Sequence, residues 1–158
     1  MINYDHQGRL QDWSWGPGFN MTMTRSSMLA VWREQFYELY AGQGFRRHTN
    51  GVAAGTEWWR WMALTATFSN GTGINYRPAS GQAPFLGKRL DGSLGATLRP
   101  GPHWRIEQTY LYSGLWTYAG SGLRQVAPGT AVFNNHILRS NATYHFTPQF
   151  DVLVGARY

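Results

Sequence analysis

The sequence predicts an all-β chain, either an antiparallel up-and-down transmembrane β-barrel or a slice of about eight strands from a larger one. Stretches of roughly ten residues alternate between apolar and polar side chains, and short connections alternate with long ones. Aromatic residues gather near the short connections. Because successive side chains of a strand point to opposite faces, each stretch has one apolar and one charged face. That pattern suits a strand with lipid on one side and water or a polar plug on the other.

The first half of the chain shows this pattern weakly. Apolar and polar residues alternate over Phe19–Met23, which ends the first predicted strand before a short turn at Arg25-Ser26-Ser27. Residues 28–40 alternate poorly and are predicted as a strand, with an amphipathic helix as the alternative. The helix is considered because Trp32, Phe36 and Tyr40 lie four residues apart.

Residues 46–57 are small and polar, and they are predicted as a strand from their context, followed by a short connection at Trp58-Trp59-Arg60. The next strand alternates clearly from Met62 to Ser69, before a Gly/Pro/Asn-rich loop over 71–87.

The last two hairpins give the clearest signal. One covers 88–113 with a turn at Pro100-Gly101-Pro102, and the other covers 133–158 with a turn at Thr147-Pro148-Gln149. A second long loop, over 114–130, separates them.

Composition limits the class of protein. The chain has 158 residues, enough for one domain, and only 14% of them are charged, against about a quarter in average proteins. No apolar run of about eighteen residues is present, which excludes a spanning helix. A soluble β-sandwich also alternates and stays open as an alternative, although 16% aromatic residues beside turns favour the barrel. Without cysteine, disulfides and thiolate metal sites are excluded.

The net charge of +6 is spread singly along the strands rather than in a basic patch. Nucleic-acid binding therefore is not predicted. No apolar signal-peptide core opens the chain at Met1-Ile2-Asn3-Tyr4, so we expect the export signal to be missing.

In outer-membrane barrels the short turns face the periplasm and the chain ends lie there too. In this chain the last strand leads away from the short turn at Pro148, so Tyr158 would lie at the outer end. We therefore expect residues 1–158 to form a single β-barrel segment that is incomplete at both ends. Alternatively, Tyr158 is the natural C-terminus and serves as the terminal aromatic residue that the barrel-assembly machinery recognises.

Two groups of candidate site residues follow from the strand pattern. The positions on the charged face of each strand are predicted to line the lumen. There they either pair across neighbouring strands and plug the interior, or select an anionic or sugar solute. These residues are Arg89, Asp91, Arg105, Glu107, Arg139, His145, Asp151 and Arg157. The aromatic residues near the short turns predict one membrane-interface girdle: Trp58, Trp59, Trp61, Trp104, Tyr144, Phe146 and Phe150.

Five segments resemble one family of bacterial envelope proteins: Lys88-Arg89-Leu90-Asp91, Thr97-Leu98-Arg99-Pro100, Gln108-Thr109-Tyr110-Leu111-Tyr112, Phe133-Asn134-Asn135-His136-Ile137-Leu138-Arg139 and Tyr144-His145-Phe146-Thr147-Pro148. They resemble the C-terminal barrel, a domain of unknown function, of proteins that begin with a family-nine-like carbohydrate-binding module. The resemblance covers mainly 60–158 and is more diffuse before it. It implies an outer-membrane barrel attached to a glycan-binding β-sandwich, with further strands after Tyr158, and it brings no catalytic residues.

No metal, cofactor or catalytic residue is predicted, because the five histidines lack metal-ligand spacing and no nucleophile with a base stands out. The expected function is non-enzymatic, in glycan-associated binding or solute passage at the bacterial outer membrane, with membrane lipid, carbohydrate and the barrel-assembly machinery as partners. One alternative is a structural anchor with a plugged lumen that displays a carbohydrate-binding domain. The other is a lipid-modifying hydrolase similar to lipid A deacylases, suggested faintly by His48, although Asn50 stands where that motif has serine. Tyr76, Phe85, Trp116 and Tyr118 are candidates for stacking on sugars.

Overall fold

The computed structural model describes residues 2–118, 127–147 and 150–158, and in these ranges the chain forms ten strands and no helix. The strands are β1 (Ile2–Tyr4), β2 (Leu10–Trp15), β3 (Gly18–Met23), β4 (Ser27–Tyr40), β5 (Gln43–Trp59), β6 (Met62–Asn75), β7 (Phe85–Gly101), β8 (Trp104–Trp116), β9 (Ala131–Thr147) and β10 (Phe150–Arg157). They form one antiparallel sheet in the order β1-β2-β4-β5-β6-β7-β8-β9-β10, with β3 also paired to β4. The predicted all-β, up-and-down architecture is confirmed.

The sheet is not closed in the described ranges: β1 and β10 are its two edges, each paired with one neighbour. Within the same ranges, no helix is long and apolar enough to cross a membrane.

The first predicted strand is two strands that lie end to end along β4. β2 pairs with Gln35–Glu38 and β3 with Ser27–Trp32. Between them, the Arg33 N–H donates to the Pro17 carbonyl oxygen at 3.0 Å. A Cβ on Gly16 would clash with the Arg33 carbonyl oxygen. The backbones of Gly16 and Arg33 therefore lie too close together for any side chain at position 16. This break and the short β1 explain why ten strands are present where about eight were predicted.

β4 is a strand along its whole length, so the helical alternative is wrong. Its register with β5 runs from Met28–Gly55 to Tyr40–Gln43 without interruption. Alternation is poor because large apolar side chains, among them Val31 and Trp32, occur on both faces. Pairing with strands on both of its sides stabilises β4 as a strand, although the spacing of its aromatic residues would suit a helix.

The two ends of the sheet differ in their connections. We call the turn end the side that carries the short connections 24–26, 60–61 and 102–103; the loop end carries 5–9, 76–84 and 117–130. The predicted turn at Pro148 and residues 119–126 of the second predicted loop lie outside the described residues. The predicted connection at Trp58 and Trp59 is wrong by two residues, because both belong to β5 and the turn is Arg60-Trp61.

One tight turn breaks the predicted alternation of short and long connections. At the loop end, β4 and β5 are joined by Ala41 and Gly42 alone, with φ of 50° and 77°. At the turn end, Arg25 and Ser26 have φ of 56° and 50°. Two successive residues with positive φ are what a two-residue hairpin turn requires, because they match the twist of the strands.

The predicted loop over 71–87 is shorter than expected. Glycine partners glycine where β6 and β7 end, at Gly73–Gly87, and the ladder continues to Asn75–Phe85. Leu115 covers both glycines: a Cβ on Gly87 would lie 2.8 Å from its Cδ1, and one on Gly73 3.3 Å away. Glycine here makes room for a covering side chain, although in sequence it resembles a loop.

Register assigns the side chains to two faces. We call the band face the one that carries a row of consecutive partners across β4–β9: Leu29, Ala54, Ala66, Leu94, Tyr110 and Leu138. We call the polar face the opposite one, which carries the row Trp32, Gly51, Ser69, Asp91 and Ser113. The buried core is small and lies at the loop end, where Phe45, Phe85 and Leu115 on the polar face are only 3%, 5% and 2% exposed. Ile74, on the band face of the same end, is buried too.

Candidate functional site

All eight predicted lumen residues lie on the polar face of β7–β10. Register shows it: Asp151 partners His145, and Arg157 partners Arg139, which lies on the same face as Glu107. The eight are Arg89, Asp91, Arg105, Glu107, Arg139, His145, Asp151 and Arg157. They are spread along the strands rather than gathered into one cluster.

Among the described residues, two ion pairs of this group form within strands rather than across neighbouring strands. Arg89 Nε lies 2.7 Å from Asp91 Oδ2, and Arg105 Nη2 lies 2.6 Å from Glu107 Oε1. Residues two apart in a strand share a face, so such pairs need no partner strand. Arg139 and Arg157 face each other, and neither takes part in an ion pair among the described residues.

The predicted girdle residues form an exposed aromatic belt at the turn end. We use that name for Trp58, Trp59, Trp61, Trp104, Tyr144, Phe146 and Phe150. Ring centroids lie 4.8 Å apart for Trp104–Tyr144, 4.5 Å for Tyr144–Phe146 and 5.5 Å for Phe146–Phe150. Apart from Tyr144, every belt residue is 44–57% exposed. The rings therefore pack in edge-to-face and tilted arrangements and leave much of their apolar surface uncovered.

The band face is apolar only over part of its height. Its apolar section extends between two rows of ladder partners. One row contains Phe68 and lies nearer the loop end, and the other contains Met62 and lies nearer the turn end. These rows are six residues apart along β6, which is roughly 20 Å at 3.3 Å per residue. Beyond Phe68 the same face carries polar side chains, among them Asn50, Asn70 and Lys88, beside the apolar Leu90 and Trp116. A shallow groove of about 710 Å³ crosses the section between Leu29 and Leu138.

A polar and aromatic cluster supports the loop end. Glu38 accepts hydrogen bonds from the Tyr76 hydroxyl at 2.8 and 2.9 Å and from Arg47 Nη2 at 3.1 Å. Burial, and then the hydrogen bond to Glu38, raise the pKa of Tyr76 above its usual 10.0. Tyr40 packs edge-on against Tyr76 at 5.0 Å. Of the predicted stacking residues, Phe85 is buried and so packs its own end of the sheet.

The sheet divides at the loop end between β5 and β6. The two strands pair only as far as Thr49–Gly71; beyond it, β5 pairs with β4 alone and β6 with β7 alone. The His48 N–H donates instead to Thr72 Oγ1 at 3.1 Å. A Cβ on Gly71 would clash with the His48 carbonyl oxygen, so glycine permits this close approach. We call this division the fork.

A depression lies on each side of the fork. The one on the band-face side has a volume of about 490 Å³ and is lined by His48, Asn70, Gly71, Thr72, Lys88, Leu90 and Tyr118. The one on the polar face has about 100 Å³ and is lined by Arg47, Thr49, Ser69, Asn70, Gly71, Thr72, Arg89 and Asp91. Sequence reasoning missed the fork, because the run Asn70-Gly71-Thr72-Gly73 was interpreted as the start of a loop.

Three polar side chains of the band face, which could in principle take part in catalysis, are hydrogen-bonded to neighbouring side chains. Ser140 Oγ donates to Gln108 Oε1 at 2.7 Å, while His136 Nδ1 lies 2.7 Å from the Tyr110 hydroxyl. Asn50 Nδ2 donates to Asn70 Oδ1 at 3.2 Å. Among the described residues, no three His, Cys, Asp or Glu side chains are grouped as metal ligands.

Comparison with protein-family models, with curated proteins and with solved structures gave no match. The resemblance to the carbohydrate-associated envelope barrels therefore stays a prediction. The all-β antiparallel sheet is compatible with a β-barrel.

Proposed function

We propose that this chain is a segment of a bacterial outer-membrane β-barrel that acts without catalysis, in glycan-associated binding or in the passage of a small solute. The observation that carries the proposal is the limited apolar section of the band face. Together with the aromatic belt, this section runs from Tyr112 to Trp104 along β8, roughly 26 Å at 3.3 Å per residue, which is close to the apolar band of about 25 Å in outer-membrane barrels. Polar side chains follow beyond the Phe68 limit. A soluble sheet would cover such a surface with a second layer.

The aromatic belt supports the same orientation. Its exposed rings lie at the turn end, beside the apolar section, where headgroup-level Trp and Tyr occur in barrels. The opposite limit of the section is marked by the Asn50–Asn70 pair, which suits contact with water. In lipid both open edges must be paired, because unpaired backbone groups are too costly there.

Refolding from urea into detergent micelles tests the membrane location. We expect β-type circular dichroism, gel mobility that changes on boiling, and quenching of tryptophan fluorescence by lipids brominated near the headgroup. Replacing Trp58 and Trp104 by leucine should reduce that quenching, whereas Trp32→Leu on the polar face should not. A protein that stays monomeric and folded in buffer without detergent would contradict the proposal.

Solute passage is tested separately in liposomes. Oligosaccharides should enter liposomes that contain the protein faster than empty liposomes. Equal rates of oligosaccharide entry would exclude solute passage, and glycan-associated binding would remain as the proposed function.

A second candidate, a membrane anchor with a plugged lumen, is favoured by one observation. Phe45, Phe85 and Leu115 fill the polar face at the loop end, where a solute would enter. The anchor predicts closed behaviour in planar bilayers. Phe85→Ala should then open a measurable conductance, and an open channel in the unchanged protein would exclude the anchor.

A further inference from the structure

The fork has the features of a ligand site rather than of a simple packing defect. Beyond Thr49–Gly71, the facing backbone edges of β5 and β6 are not paired with each other. The His48 N–H already donates to Thr72 Oγ1, so the backbone groups that are open to a polar ligand are those of the two edges beyond it. A volume of about 490 Å³ on the band-face side falls within the usual range of roughly 300–1,000 Å³ for small-molecule sites.

The side chains around this depression provide three kinds of contact. Asn70 uses its amide oxygen for Asn50 and keeps both amide N–H groups as donors. Leu90 and Tyr118 provide an apolar wall, against which one face of a ring could pack. Hydrogen-bond donors beside an apolar wall match a molecule that has hydroxyl groups around a carbon ring.

The charged side chains around the depression narrow the chemical class of the ligand further. Lys88 is exposed, lies opposite Thr72 in the register, and forms no ion pair among the described residues. Behind the fork, Arg47 and Arg89 already pair with Glu38 and Asp91. The uncompensated charge in the depression is therefore a single cation, which suits one carboxylate.

We propose that the fork binds a carboxylated monosaccharide unit, with its ring against Leu90 and Tyr118, its hydroxyl groups on Asn70 and its carboxylate on Lys88. The site lies beyond the apolar section of the band face, on the side of the long connections. Binding there rests on the proposed function and gives its glycan-associated part a ligand class.

Galacturonate and galactose are a matched pair of probes, because they differ in the carboxylate alone. Saturation-transfer NMR and the backbone amide shifts of Gly71 and Thr72 report binding, in micelles if the protein folds there and in buffer if it is soluble. We expect galacturonate to bind at least about tenfold more tightly than galactose, the value of one charge-assisted hydrogen bond. Equal affinity for the two sugars, or no binding of either, would overturn the proposal. Inorganic phosphate that shifts the same amides as strongly as galacturonate would overturn it too, because the site would then be one for any anion.

Lys88→Gln should weaken galacturonate binding about tenfold and change galactose binding by less than about twofold, while Lys88→Arg should restore it. Arg99→Gln is the matched control, since Arg99 is an exposed cation at the turn end without an ion pair in the described ranges. If both glutamine variants lose the same affinity, the effect is one of net charge and the assignment to Lys88 is wrong. Loss of membrane insertion with sugar binding intact would contradict the proposed membrane location alone.

Discussion

The turn end and the loop end of the same sheet differ in how far they bury aromatic residues. At the turn end, Trp61 and Phe146 are 51% and 55% exposed, whereas at the loop end Phe45 and Phe85 are buried, although Tyr76 there stays 41% exposed. Connections of two or three residues cannot fold back over a sheet, but longer ones can. The loop end therefore builds its own apolar core, while the turn end depends on its surroundings to cover its rings.

The largest effect that would sharpen this comparison comes from Leu115, which is 2% exposed. Leu115→Ala leaves a cavity above Gly73 and Gly87 and should lower the free energy of unfolding by about 2–5 kcal/mol. Leu94→Ala is the matched control, because Leu94 is 58% exposed on the band face. Urea unfolding of the protein in micelles measures both. Similar losses for the two variants would mean that the loop end has no core of its own.

A second change tests the backbone packing at the two ends. Gly71→Ala forces a Cβ against the His48 carbonyl oxygen and should cost about 1–3 kcal/mol, with loss of amide protection where β5 and β6 meet. Gly101→Ala at the turn end meets nothing within 4 Å and should change stability by less than about 0.5 kcal/mol. Urea unfolding and hydrogen exchange check both. If Gly71→Ala is as mild as Gly101→Ala, the fork is wider than described.

The loop end should also respond to alkaline pH. Because the folded pKa of Tyr76 is raised, the protein favours its neutral form; this stabilisation is complete below pH 10.0 and is lost as the pH rises through the raised pKa. The contact of Tyr40 with Tyr76 should then loosen. Titration of tyrosinate absorbance and of stability against pH measures this. Tyr76→Phe should remove the late-titrating component and cost about 1 kcal/mol. Loss of a component that titrates at the usual 10.0 instead would show that Tyr76 does not bond Glu38.

The smallest effect is expected at the exposed turn between β1 and β2. The backbone N–H of Arg9, then the Arg9 side chain and the Gln7 N–H, lower the pKa of Asp5 below its usual 3.8. The turn therefore gains stability above pH 3.8 and loses it as the pH falls through the lowered pKa. The protection factors of the Ile2–Tyr4 amides, relative to the intrinsic exchange rate at each pH, should fall at acidic pH, and Asp5→Asn should lower them already at neutral pH. Asp151→Asn, on the strand at the opposite edge of the sheet, is the control, and an equal response in both would indicate a general effect of net charge.

The sequence allowed the strands and the faces to be predicted, because a period of two records burial directly in the order of residues. The same period predicted that the eight candidate lumen residues share one face, whereas the belt was predicted from aromatic residues close to the short turns. It did not predict the fork, where glycine and asparagine in a strand are indistinguishable from a loop without knowledge of Leu115 above Gly73. It also could not give the pairing of Arg89 with Asp91 within one strand, since rotamers decide between neighbours on a common face.

The order of strands has a consequence for how the chain reaches this structure. From Gln43 onward, each strand pairs only with the strands directly before and after it in the chain. The entropy lost on closing a loop grows with the chain between paired segments, so hairpins with two-residue turns, such as β4–β5 and β7–β8, close at the lowest entropic cost. The sheet can then grow by one neighbouring strand at a time.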